Sequence, residues 1–318
     1  MNSNKPLVSI ITVNYNQLEV TCALFDSVRR NSYDNIEVIL VDNASKENPQ
    51  QYISTHYPEV NFIRSEINLG FAGGNNLALS STTGEYLFFV NNDAELTDNC
   101  IEILLAQFEK NPKLGIISPR LCYYPSEETN HKQIIQFAGC TPVNNFTARN
   151  KTIGHLEEDK GQYKEANAIP YIHGAAMMIP SRVLQKTGPM DEMFFLYYEE
   201  LDWSERIRNA GFEVYVEPRA LVYHKESVSV GKLSTLKTHY INRNRVLFMR
   251  RNKNGFQLLL FSIFLIFATI PKNTFLFIIR GQWDHLRAFY KAMTWNLFND
   301  KKSSKCYNVK QYSPVTQS

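Results

Sequence analysis

The sequence predicts an α/β protein with a mostly parallel central sheet, flanking helices and a carboxy-terminal helical segment that associates with a membrane. Three observations carry this. Over about the first 110 residues, apolar runs of strand length alternate with segments of helical period, the signature of a doubly wound sheet. Those runs end on polar residues, and ligands bind such sheets outside the carboxyl ends of the strands. Met1 to His224 carries 18 basic and 28 acidic residues, whereas Lys225 to Ser318 carries 16 and 3, so the chain has two electrostatic halves.

Taken in order, Val8 to Val13 is a strand ending at Asn14-Tyr15-Asn16. Asn16 with Glu19 suggests a helix cap, after which Val20, Leu24 and Val28 repeat at helical spacing. Ile36 to Val41 is a second strand, ending on Asp42-Asn43-Ala44-Ser45. Val60 to Ile63 is a third, leading through Asn68-Leu69-Gly70 into a short helix rich in glycine. Tyr86 to Val90 is a fourth and delivers Asn91-Asn92-Asp93. A helix over Leu201 to Ala210 should stop at Gly211.

The tail reads differently. Phe256 to Ile279 is apolar, but Pro271-Lys272-Asn273 interrupts it, which suggests a hairpin or a pair of interfacial helices rather than one span. Arg243, Arg245, Arg250, Arg251 and Lys253 precede it and Arg280, Arg287 and Lys291 follow, a pattern suited to an anionic membrane surface. A buried core helix is the alternative. Nucleic acid is not expected as a partner, because aliphatic residues rather than stacking aromatics dominate the basic region.

Composition removes other classes. With 44% hydrophobic residues the chain can bury a sizeable core, so it is not disordered. Five dispersed cysteines without a CxxC pair argue against a disulfide framework or a cysteine zinc site, and fit a reducing compartment. The amino terminus does not read as a signal peptide. The turn after the first strand has no glycine, which excludes the dinucleotide fingerprint.

Three stations bear chemistry: Asn91-Asn92-Asp93, Glu199-Glu200-Leu201-Asp202 and His224. Brought to one sheet edge, they offer oxygen and nitrogen ligands for a hard divalent cation beside a carboxylate base. Helix-start dipole compensation alone would explain some of the acidic residues, but four of them, counting Glu205, exceed that need. Glu200 shares a helical face with Trp203, Ile207 and Ala210 and should point inward.

The blocks VSIITVNYN, VDNAS, NLGFAGGNN, NNDA, HGAAMMIP, FFLYYEELDW and Tyr223-His224 resemble, in order and spacing, the inverting family-2 glycosyltransferases of the bacterial rhamnosyltransferase and galactofuranosyltransferase type. The resemblance covers roughly Leu7 to Arg251. It implies a GT-A (Rossmann-like) fold over 1–225, with a nucleotide-binding half to about 115 and an acceptor half over 116–225. A basic loop and helix over 226–255 and the tail over 256–318 follow.

The resemblance also implies roles. Val13, Tyr15, Asp42, Asn68, Asn75 and Asn92 would bind the nucleotide diphosphate sugar donor, of dTDP-rhamnose or UDP-hexose type. Asp93, His224 and Asn91 would hold Mg2+ or Mn2+, although Asn91 stands where the family's D-x-D motif has a carboxylate. His224 lies 24 residues after Glu200, the spacing at which some members complete the metal shell. Glu200 is the expected base, with Glu199 as fallback. Asp202 would hold the acceptor sugar or orient Trp203, and Gly174, Ala175 and Trp203 would meet the acceptor.

Arg243 and Arg245 could reach the phosphates, and Ser227 to Leu236 could close over the donor. A lipid-linked saccharide acceptor, O-antigen or capsule assembly, and a peripheral or monotopic place on the cytoplasmic face of the bacterial inner membrane complete the expectation. A nucleotidyltransferase or a catalytically silent membrane adaptor are the competing classes.

Overall fold

The computed structural model describes residues 5–125, 127, 131–225 and 234–302. Strands β1 (Val8–Asn14), β2 (Ile36–Asn43), β3 (Val60–Ser65) and β4 (Tyr86–Val90) alternate with helices α1 (Leu18–Arg29), α2 (Gln50–His56) and α3 (Gly70–Ala78). Then come β5 (Ala94–Leu96), α4 (Cys100–Lys110), β6 (Leu114–Cys122), β7 (Ile135–Phe137), β8 (Asn167–Ala168), β9 (Ala176–Pro180) and α5 (Ser181–Thr187). Helix α6 (Glu199–Asn209) and β10 (Glu213–His224) complete the sheet domain. Four helices end the described chain: α7 (Thr235–Asn252), α8 (Gly255–Phe264), α9 (Ile270–Ile279) and α10 (Trp283–Phe298).

The sheet runs β3-β2-β1-β4-β9-β6-β10-β5, with β7 beside β6 and β8 beside β10. Its first four strands are parallel, as the alternation predicts. Beyond β4 it becomes mixed: β9 is antiparallel to both β4 and β6, and β10 is parallel to β6 but antiparallel to β5. Helices pack on the sheet and bury one continuous apolar core, in which Ile10, Ile11, Phe88, Met178 and Trp203 are fully enclosed or nearly so. Register is strongly specified there, since a slip by one residue would turn each buried set of side chains to the other face.

Three local expectations need correction. Asn16 does not cap α1: it takes a positive φ of 56° and accepts from the Lys46 amide, while Asn14 Oδ1 accepts from the Gln17 amide at 3.1 Å. Helix α6 starts at Glu199 rather than Leu201, because Tyr198 in the left-handed region turns the chain directly into it. Pro271 does not break the apolar segment, and Gly255–Ile279 forms one helix of 25 residues. A π turn over Leu265–Thr269 absorbs the amide that Pro271 lacks and the clash of its ring with the preceding turn.

The chain reverses instead at Gly281, with a φ of 63°, and α10 packs back along α7 and α9. Only 6% of the most apolar window of the long helix is buried, which removes the reading as a core helix. Phe256, Leu259, Phe267 and Phe275 are each more than half exposed.

Candidate functional site

Pairing between distant strands assembles the site. Antiparallel β5 and β10 place His224 opposite Ala94, and the Lys225 amide donates to the Asp93 carbonyl at 3.0 Å. The Asn91 amide donates to Ala175 just ahead of β9, so the end of β4 meets the Gly174-Ala175 turn. A cavity of about 510 Å³ opens where these ends converge. Val13, Tyr15, Asn68, Asn75, Asn91, Asn92, Asp93, Gly174, Ala175, Glu199, Glu200 and His224 all line it.

Asp42, Asp202 and Trp203 do not. The Asp42 carboxylate is fully buried beneath the wall, paired with Arg64 and accepting from Asn14 Nδ2 at 2.9 Å. Trp203 is a core residue whose indole N–H donates to the Gly188 carbonyl at 2.9 Å and whose ring meets Phe89 edge-on. Asp202 is tied to Arg206 at 3.1 Å, to Arg251 at 3.2 Å and to Asn252 at 3.0 Å. Neither Asp202 nor Trp203 is presented to an acceptor.

One end of the cavity is built on one locked turn. Asn43 accepts from the Leu69 amide at 2.9 Å and donates to Asn68 and to the Gly70 carbonyl, and Asn68 accepts from the Gly70 amide. Gly70 takes a φ of 72°, and a Cβ there would lie 2.3 Å from the Phe195 carbonyl oxygen, so only glycine fits. Asn92 is turned inward and donates to Thr21 at 2.9 Å.

At the turn between β4 and β5, His224 Nε2 faces Asp93 Oδ1 at 3.1 Å and the Asn91 side-chain nitrogen at 3.2 Å. Its Nδ1 meets Gln136 Oε1 at 2.8 Å; donation there leaves the Nε2 lone pair toward Asp93. Two ligands each about 2.1 Å from one octahedral ion stand about 3 Å apart, so this pair fits a divalent cation. Among the described residues no group of three or more His, Cys, Asp and Glu could hold a metal. Any cation held there would take its remaining positions from neutral oxygens or from a ligand. His173, between Phe137 and His224, is kept neutral, its pKa pushed down to about 3 by burial and then by repulsion from His224.

Partners sort the acidic residues of α6. Glu205 is bound to Arg208, Lys253 and the Tyr171 hydroxyl, and Asp202 to the cations named above. Glu199 and Glu200 each have a buried oxygen with no hydrogen-bond partner among the described residues. Burial raises both carboxyls: Glu200 to about 7, and Glu199 well above the usual range, where the neighbouring Glu200 charge adds to the effect. A carboxyl near neutrality is matched to accepting a proton from a hydroxyl.

What holds this pair in place was missed at the sequence level. Phe195, Tyr197 and Tyr198 all have φ between 61° and 74°, in the left-handed region that costs non-glycine residues about 1 kcal/mol or more each. Asn244 of α7, fully buried, donates to the carbonyls of Phe194, Leu196 and Tyr197 at 2.7 Å each. Arg243 donates to the carbonyls of Met193 and Phe194 and lies over the rings of Tyr240 and Trp295. Arg243 thus grips backbone, not phosphate. Asn43, Phe71, His173, Phe195, Tyr197 and Lys237 also line the cavity and were not singled out as contacts. Most of the Ser227 to Leu236 segment lies outside the described residues, but Ser234 and Leu236 stand at the cavity wall.

Known proteins share this fold. A mannosyltransferase from Pyrobaculum calidifontis, in complex with GDP-Man and Mn2+, superimposes with a TM-score of 0.56 at 15% identity, covering 93% of this chain and 88% of that one. GalNAc-T7 with UDP, GalNAc and Mn2+ gives 0.60 at 17% identity, over 77% of this chain and 48% of that chain. These likenesses establish the GT-A-like fold. By sequence, the low-salt glycan biosynthesis hexosyltransferase Agl10 of Haloferax volcanii is 27% identical over 245 residues, covering 76% of this chain and 74% of its own. An N-acetylglucosaminyl-diphospho-decaprenol L-rhamnosyltransferase of Mycobacterium tuberculosis is 23% identical over 214 residues, 62% of this chain and 69% of its own. The pattern of "Glycosyl transferase family 2" matches residues 9–188, more than half of the sequence, and the chain belongs to that family, a glycosyltransferase of glycan or polysaccharide biosynthesis.

Proposed function

We propose that the protein moves a hexosyl group from a nucleotide diphosphate sugar, of dTDP-rhamnose or UDP-hexose type, to a hydroxyl of a lipid-linked saccharide, with inversion. The observation that carries this reading is one cavity shared by the Asp93–His224 pair and an unpaired carboxyl, Glu200, poised near neutrality. Val13, Tyr15, Asn68 and Asn75 hold the nucleoside end, and Ser234 and Lys237 at the start of α7 approach the diphosphate. Asp93 and His224, with Asn91, would hold a Mg2+ or Mn2+ ion that neutralises charge on the departing diphosphate.

Glu200 accepts the proton of the acceptor hydroxyl as its oxygen attacks the anomeric carbon from the face opposite the diphosphate. Gly174 lies beside Glu200: a Cβ there would make ordinary contact, 4.0 Å from Glu200 Cγ and 3.6 Å from the Phe71 ring. The sheet domain over 1–225, together with the start of α7, carries the reaction. The exposed apolar helix, with basic residues before and after it, supports membrane attachment at the cytoplasmic face. The name of the mycobacterial relative, which specifies a diphospho-decaprenol acceptor, supports a lipid-linked one here.

Glu200→Gln tests the base. The variant should lose about 10²-fold or more in transfer to an acceptor while still binding the donor. Transfer at the parental rate would remove Glu200 from this role.

A further inference from the structure

The mechanism above does not use Arg245, a buried cation. Arg245, on α7, is 2% exposed, and its Nε and Nη2 are shielded from solvent with no hydrogen-bond partner among the described residues. A guanidinium carries five donors, and burying it unbonded is costly unless something supplies acceptors. Its neighbours on the helix show the contrast. Arg243 spends its donors on carbonyls, and Arg251 is paired with Asp191 at 2.6 Å and with Asp202.

The charged surroundings of Arg245 are themselves cationic or neutral. Tyr198 and Arg149 act on its charge, and no carboxylate is among these groups. The Tyr198 hydroxyl donates to the Ala148 carbonyl at 3.0 Å, which pins the loop carrying exposed Arg149 next to the residue that directly precedes Glu199-Glu200. Neither arginine lines the 510 Å³ cavity assigned to the donor. One buried and one exposed guanidinium around Tyr198, with no ion-pair partner among the described residues, present the charge and the forked donors that an oxyanion binds best.

We propose that Arg245 and Arg149 hold a phosphate or diphosphate group carried by the acceptor, on the Tyr198 side of Glu200. The proposal rests on the glycosyl-transfer reading and specifies how the acceptor is recognised. An acceptor anchored through its phosphate presents its hydroxyl to Glu200 at a lower entropic cost than a free sugar does.

The test uses the full chain and inorganic pyrophosphate as probe, titrated calorimetrically in metal-free buffer. Arg245→Met keeps the side-chain length and removes a buried charge, so its melting temperature is expected to hold or rise. Arg149→Ala, at an exposed position, is a second variant that misfolding does not confound. Each should bind pyrophosphate at least tenfold more weakly than the parent, and the proposal is overturned if either binds within threefold or if the parent binds none. Affinity for UDP and dTDP with Mn2+ is measured on the same variants: a matching loss there would assign Arg245 to the donor and overturn the acceptor assignment. The underlying reading fails separately, when parental protein that binds pyrophosphate cleaves none of a panel of nucleotide sugars.

Discussion

At the scale of single residues, four acidic side chains on the first two turns of α6 meet two kinds of environment. Asp202 and Glu205 are neutralised by arginine and lysine, while burial leaves Glu199 and Glu200 without cationic hydrogen-bond partners. The acceptor-transfer rate should therefore rise with pH through about 7, as Glu200 loses its proton, and the pH–rate profile checks this limb. Stability runs the other way. The folded Glu200 holds its proton to about pH 7, whereas an unfolded carboxyl releases it near 4.5, so folding weakens as pH rises across that window. Glu200→Gln should relieve this on the order of 1–3 kcal/mol at pH 8 and give little at pH 4, measured by denaturant melts. Gln136 offers a parallel case. Gln136→Leu removes the acceptor that fixes the His224 ring, and Mn2+ activation should need about 10–100-fold more metal.

Among elements, α7 acts as a clamp on the segment that delivers Glu200, the proposed base. The left-handed residues before Glu199 persist because Asn244 and Arg243 satisfy four of their neighbouring carbonyls from the helix side. Asn244→Ala leaves the Leu196 and Tyr197 carbonyls without their donor while Arg243 still holds those of Met193 and Phe194, with an expected loss of about 2–4 kcal/mol. Transfer activity should fall more than tenfold even at temperatures where the variant remains folded by circular dichroism. A normal rate in a folded Asn244→Ala protein would show that the clamp does not position Glu200. Gly70 joins the same segment to α3, and Gly70→Ala meets both the positive φ and the Phe195 carbonyl, so loss of soluble protein is expected from a side-by-side expression test.

For the whole molecule, the tail and the sheet domain are mechanically linked. Asn296 of α10 donates to the Arg243 carbonyl at 3.0 Å, and Arg250 donates to Asn296 at 3.2 Å. Deleting the tail would thus disturb α7 and, through it, the base, so point substitutions on the exposed face test membrane attachment better. Phe267, 77% exposed, and Ile263, 48% exposed, replaced together by Glu, should lower binding to vesicles containing anionic lipid by tenfold or more in a sedimentation assay. Equal binding by parent and variant would rule out this face as the membrane contact.

Much of this was legible in the chain alone. Strand-length apolar runs fixed β1 to β4, and short polar stations named Asp93, Glu200 and His224, because periodicity and residue chemistry are local properties. Asn43 beside Asp42 shows where locality ends. Successive strand residues face opposite sides, and only packing of the sheet decided that Asn43 faces the cavity while Asp42 is buried against Arg64. The antiparallel pairing of β5 with β10 likewise sets His224 against Asp93 across more than 100 residues of chain. Sequence determined which groups exist and which elements carry them. Tertiary structure decided which of those groups lose their water and their partners, and at Glu200 and Arg245 that loss is what makes them chemically distinct.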